Sequence, residues 1–127
     1  MHLAHVALWT SDLDAVAAFW QRYFHAIVSP AYHSTRRAGF VSRFATLPGG
    51  GTRIELMTGP WLAGANASDC IGWDHVAVAL GSAADVDALA ERCAIDGVLV
   101  SAPRTTGDGF YEAVIAMPDG SRVEVTA

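Results

Sequence analysis

No stretch of this 127-residue chain approaches the roughly 20 consecutive apolar residues that a membrane-spanning helix needs. The sequence therefore predicts no transmembrane segment and no membrane partner. Its first residues have no charged stretch leading into an apolar run and a cleavage site, so the expected location is cytoplasmic. Basic residues are few, eight Lys and Arg against thirteen Asp and Glu for a net charge of -5, with no cluster beyond Arg36 and Arg37. Nucleic acid would find no positive stripe to lie along. The two cysteines, Cys70 and Cys93, stand outside any CxxC spacing, one in a linker and one in a helical pattern. They read as buried or incidental thiols.

What is present is a chain that is 52% hydrophobic and long enough to bury one core. Residues 3 to 9 alternate as a strand, and Ser11 or Asp12 caps a helix from about Leu13 to Phe24, with Leu13, Val16, Ala17, Trp20 and Phe24 on one face. Strand-like runs follow near 26 to 34 and 38 to 47, then a turn at Pro48-Gly49-Gly50-Gly51 and a strand at 52 to 58. This first module, about 1–58, reads βαβββ. Residues 59–72 are small, polar and glycine-containing, as a linker should be. The second module, about 73–127, repeats the order. It has a strand at 73 to 80, a Ser82-capped helix from about Ala83 to Ile95, and a strand at 98 to 104. A loop at Thr105 to Gly109, a strand at 110 to 117, a Pro118-Asp119-Gly120 turn and a strand at 121 to 126 complete it. Two such units are too few for an open repeat array. The expected fold is one α+β domain in which two tandem βαβββ modules form a curved mixed sheet, a half-barrel cup with helices on its convex side.

The repeat extends to chemistry. His5 in LAHVAL recurs as His75 in WDHVAV, and Glu55 in GGTRIEL recurs as Glu124 in DGSRVEV. Strand alternation places His5 with Leu3, Ala7 and Trp9, and His75 with Trp73, Ala77 and Ala79, away from Val6, Leu8, Val76, Val78 and Leu80. The same rule sets Arg53, Glu55 and Met57 opposite Ile54 and Leu56, and Arg122 and Glu124 opposite Val123 and Val125. The aliphatic sides must meet the helices, which leaves the mixed sides to line the cup, with Trp9, Trp73 and Met57 as apolar walls. Two carboxylates facing one cavity repel unless paired. A divalent cation with two neutral imidazoles and two carboxylates has a site charge of about zero and suits nitrogen and oxygen ligands. The competing account is that Arg53 and Arg122 neutralise the glutamates with no metal at all.

These segments, LAHVAL followed by SDLDAVAAFWQRYF, then RIELM, WDHVAVAL and MPDGSRVEV, resemble in order and spacing the vicinal oxygen chelate superfamily. That group covers glyoxalase I, bleomycin-resistance proteins and extradiol dioxygenases, and the resemblance spans essentially the whole chain. RIELM and PRTTGDGFYEAV are similar to a small single-domain glyoxalase-like subgroup. The resemblance implies that His5, Glu55, His75 and Glu124 ligate a divalent metal ion, which would be nickel, zinc, manganese, iron or cobalt. It also implies a homodimer and proton transfer by a metal-ligating glutamate, Glu124 or Glu55, with Glu124 taken first although sequence does not rank them.

Where glyoxalase I enzymes that resemble this chain carry an arginine and an asparagine for glutathione, it has Trp9 and Gly59. The expected reaction is therefore a lyase or isomerase step on a small substrate with vicinal oxygens other than glutathione hemithioacetal. An apolar or aromatic substrate fits Trp9, Trp73 and Phe110, with Arg53, Met57, Tyr111 and Arg122 as further contacts and Tyr111 as a hydrogen-bond donor. The alternatives are an extradiol-type dioxygenase, which wants only three protein ligands, and a non-catalytic drug binder, which usually lacks the ligands. The loop from Thr105 to Tyr111 reads either as a closing flap or as a plain hairpin. Arg104 reads as a solvated edge charge or an anion contact, His33, Arg36 and Arg37 as surface residues, and His2 and His25 receive no role.

Overall fold

In the computed structural model, residues 3–64, 73–107 and 109–127 are described. The chain divides into two compact units, residues 1–64 and 65–127. The first contains β1 (His5–Trp9), α1 (Leu13–Phe24), β2 (Ile27–Val28), β3 (Tyr32–His33), β4 (Val41–Thr46) and β5 (Arg53–Thr58). The second contains β6 (His75–Ala79), α2 (Ala83–Ile95), β7 (Leu99–Thr105), β8 (Tyr111–Ala116) and β9 (Arg122–Thr126). The fold is α+β, two βαβββ modules each with its own open mixed sheet.

The wiring is the same in both units. In the first sheet, β1 pairs in parallel with β5, which pairs antiparallel with β4, and β4 carries β2 and β3 on its far edge. In the second, β6 lies parallel to β9, followed by β8 and the edge strand β7. Both helices match their sequence periodicity. Asp12, rather than Ser11, caps α1 by accepting from the Ala15 amide at 2.9 Å, and Ser82 caps α2 by accepting from the Asp85 amide at 3.2 Å.

The aliphatic strand faces pack against the helices, as alternation requires. Val16 and Trp20 of α1 are fully buried in a unit whose sheet contributes Ala45, Ile54 and Leu56. In the other unit Val86, Ala90 and Cys93 of α2 are buried with Ala113, Ile115, Val123 and Val125. Each fully buried aliphatic side chain contributes about 1.5–3 kcal/mol. Cys93 is a buried thiol, as its helical pattern suggests, while Cys70 and His2 lie outside the described residues.

Two strands depart from the sequence expectation, each at a proline. The run expected over 26 to 34 is broken into β2 and β3 around Ser29-Pro30-Ala31. Pro30 has no amide to give the ladder, and the Ser29 hydroxyl takes over by accepting from the Phe44 amide at 2.9 Å. In β7 the register with β8 shifts between Leu99 and Ser101 and again between Ser101 and Arg104, where Pro103 sits, and an edge strand tolerates this.

The two helices end differently. After α2, Gly97 takes φ +75°, but after α1 the left-handed position falls on His25 at φ 53°. A side chain there costs about 1–2 kcal/mol of backbone strain that glycine avoids. His25→Gly is expected to raise the stability of the metal-free protein by about 1 kcal/mol, read as a higher denaturant midpoint at unchanged slope. An unchanged or lower midpoint would count against this account of the cap.

Candidate metal centre

Parallel pairing positions the predicted ligands. In the first unit His5 stands opposite Arg53, Ala7 opposite Glu55 and Trp9 opposite Met57. In the second, His75 stands opposite Arg122 and Ala77 opposite Glu124. Each histidine is thus the diagonal neighbour of its glutamate, on the face turned away from the helix, with an alanine methyl on one side of the carboxylate and Phe44 or Val114 on the other. His5 Nε2 lies 3.7 Å from Glu55 Oε2, and His75 Nε2 lies 3.5 Å from Glu124 Oε2. Both separations exceed a normal hydrogen bond. They match the edge of about 3.4 Å between two donors that each bind one tetrahedral ion at 2.0–2.1 Å.

The second pair carries further features. His75 Nδ1 is 2.9 Å from Asp74 Oδ2, so Nδ1–H donates to Asp74 and Nε2 is left facing the Glu124 carboxylate. That hydrogen bond, ahead of the nearby Arg122 charge, holds the Asp74 carboxyl below its ordinary pKa. Glu124 is only 17% exposed, and burial, followed by the nearby Glu112 carboxyl, pushes its pKa up. A ring nitrogen and a carboxylate oxygen at this separation could both reach one small cation. The donor set and spacing fit a divalent metal.

The arginines do not compensate the glutamates. Arg53 stacks its guanidinium 4.4 Å over the Phe44 ring, and Phe44 also meets the His5 ring edge-on at 5.7 Å. Arg122 reaches Asp74 at 3.8 Å. Among the described residues neither arginine forms an ion pair with Glu55 or Glu124. Also among the described residues, no group of three or more His, Cys, Asp or Glu side chains comes together as a metal site, so the donors stand as two pairs.

Sequence reading missed Glu112. It is buried, and it shares the face of Glu124 because Val114, two residues on, stands opposite Glu124. Its carboxyl neighbours that of Glu124 and pairs with Arg104 Nη2 at 3.0 Å. One polar line therefore crosses all four strands of the second sheet, from Arg104 through Glu112 and Glu124 to His75 and Asp74. The phase of β8 was the available signal, since alternation from Val114 puts Glu112, not Tyr111, on this face.

Tyr111 is not brought to that face. Its hydroxyl donates to Asp87 of α2 at 2.6 Å, and this bond raises its pKa. Trp9, Met57 and Arg53 lie on the His5–Glu55 face, with Trp9 41% exposed, while Trp73 is 94% exposed. The segment between β7 and β8 is tied as a hairpin by Thr106, whose amide donates to the Phe110 carbonyl at 2.8 Å and whose hydroxyl accepts from the Phe110 amide at 3.0 Å.

Three solved structures show how widely this fold is shared. A glyoxylase/bleomycin resistance protein/dioxygenase domain from Frankia sp. EAN1pec superposes with TM-score 0.85 at 20% identity, over 99% of this chain and 96% of that one. A possible glyoxalase from Bacillus cereus gives 0.72 at 25% identity over 100% and 99%. A lactoylglutathione lyase from Agrobacterium tumefaciens gives 0.70 at 22% identity over 98% and 91%. No curated protein matches the sequence significantly. Among the described residues no helix is long and apolar enough to cross a membrane. The family model for the Glyoxalase/Bleomycin resistance protein/Dioxygenase superfamily matches residues 2–125, a span that holds both modules and both His–Glu pairs, and the chain belongs to that superfamily.

Proposed function

We propose that this protein is a metal-dependent lyase or isomerase of glyoxalase I type, moving a proton between adjacent carbons of a small substrate with vicinal oxygens. His5, Glu55, His75 and Glu124 are the metal ligands of this reading. The observation that carries it is the pairing of an imidazole nitrogen with a largely buried carboxylate that neither Arg53 nor Arg122 neutralises. A lactoylglutathione lyase among the similar structures accords with it. The working form is taken as a homodimer, in keeping with the family resemblance.

A bound divalent ion would supply Lewis acidity to the substrate oxygens. The rest falls to the chain. Glu124 takes and returns the proton, because burial and the Glu112 carboxyl raise its basicity above that of an ordinary glutamate. Glu112, held by Arg104, aims the Glu124 carboxyl from the side opposite His75. Asp74 keeps the His75 ring in the tautomer that offers Nε2. Trp9 and Met57 give the reacting carbons an apolar wall.

Protein purified without a metal-affinity tag is expected to hold about one divalent ion per chain, and His5→Ala and His75→Ala are each expected to lose it by elemental analysis. Absence of metal, with no uptake of added nickel, zinc or manganese, would overturn the reading. Oxygen consumption with catechol-type substrates would move it to the dioxygenase class.

Glu124 also links metal binding to pH. Its pKa in the fold lies above the unfolded value, so its contribution to the stability of the metal-free protein is present at low pH and lost as pH rises through the folded pKa. Glu124→Gln is therefore expected to raise the melting temperature of the metal-free protein at pH 8 more than at pH 5, while abolishing metal uptake. Metal affinity in the wild type falls as pH drops through that raised pKa. Glu112→Gln, which removes a like charge, is expected to shift the fall to lower pH in calorimetric titrations. An unchanged profile would remove Glu112 from the account.

A further inference from the structure

Sequence reading placed Arg37 on the surface and gave Trp61 no role, yet the fold of the first unit builds a feature around them. The guanidinium of Arg37 lies 3.9 Å over the Trp61 ring and 5.4 Å from the Trp9 ring centre. The two indoles are nearly perpendicular, 6.4 Å apart at 85°, and Phe40 meets Trp9 edge-on at 5.9 Å. Arg37 therefore occupies the corner between two indoles that remain 41% and 39% exposed. Among the described residues its guanidinium has no carboxylate partner, although the chain carries a net charge of -5.

The backbone is shaped to hold this corner. The Ser34 hydroxyl accepts from the Arg36 and Arg37 amides at 3.2 and 3.0 Å, and the Phe40 amide donates to the Arg37 carbonyl at 3.0 Å. Gly39, at φ +78°, leaves room for Pro60, whose Cδ would lie 2.7 Å from an added Cβ. Gly59 leaves room for Trp61, whose ring would lie 2.4 Å from an added Cβ. Arg37 is thus preorganised, one face covered by Trp61 and its N–H edges left for an acceptor.

The corner opens on the face that carries the first His–Glu pair. Trp9 is two residues beyond Ala7, which stands opposite Glu55, a separation of roughly 7 Å along the strand. That is the span of one six-membered ring and a substituent.

We propose that Arg37, Trp9, Phe40 and Trp61 form a subsite for an aromatic carboxylate, with Arg37 pairing the carboxylate and the exposed indoles packing the ring. That this ligand is the anchored end of the enzyme's substrate rests on the proton-transfer function proposed above. Binding itself does not, because every group involved lies outside the His–Glu pairs.

The test uses the full-length protein stripped of metal, with phenylacetate and its uncharged analogue phenylacetamide as probes, followed at the indole N–H signals of Trp9 and Trp61 by two-dimensional NMR. Saturable shifts at those two signals are expected, with phenylacetate at least about tenfold tighter than phenylacetamide, the worth of a charge-assisted hydrogen bond. Arg37→Gln is expected to remove that preference, and Gly59→Ala, by displacing Trp61, to weaken both probes. The signal of buried Trp20 shows that each variant is folded. Equal affinity for the two probes, a preference that survives Arg37→Gln, or shifts confined to Trp73 would overturn the subsite. Because the metal is absent throughout, failure of the metal reading leaves this result standing, and the reverse also holds.

Discussion

The parallel pairing of the first and last strands within each module is the constraint on which the rest of the site depends. A parallel ladder in this register sets the histidine of one strand diagonal to the glutamate of the other, with alanine opposite the carboxylate. A shift of one residue in either strand would turn the glutamate into the helix-packed core and bring Ile54, Leu56, Val123 or Val125 to the open face. The helices enforce the register, since those four aliphatic residues are nearly or fully buried. Core packing and ligand geometry are therefore one requirement, read from opposite sides of the same strands.

The repeat is close in backbone and divergent in its surroundings. Around His5 and Glu55 the neighbours are Phe44, with Arg53 stacked on it, and the corner of Trp9, Trp61 and Arg37. Around His75 and Glu124 they are Asp74, Glu112 and Arg104. One half offers an aromatic surface and a guanidinium without a carboxylate partner among the described residues. The other offers the largely buried carboxyls of Glu112 and Glu124 and a histidine ring held through Nδ1.

Much of this was legible from residues alone. Helix limits followed from the apolar period and from Asp12 and Ser82, and the diagonal His–Glu pairs followed from one motif written twice. Burial followed from alternation, because Ile54, Leu56, Val123 and Val125 had no other side to occupy. What escaped depended on local phase or on reach. Pro30 and Pro103 break ladders through a missing amide, which alternation does not register. Glu112 was passed over and Tyr111, expected as a ligand contact, bonds Asp87 instead, since the phase of β8 is set by its pairing with β9. Arg53 and Arg122 are long enough to choose among partners, and they chose Phe44 and Asp74 over the glutamates. Trp61 fell beside a linker of small residues, where only the space left by Gly59 reveals it.

The most direct test of the central claim is the X-ray absorption spectrum of the nickel-loaded protein. The account predicts a first shell of nitrogen and oxygen at about 2.0–2.1 Å, with the multiple-scattering pattern of two imidazoles. A shell with a single imidazole in the wild-type protein, or one containing sulfur, would contradict it.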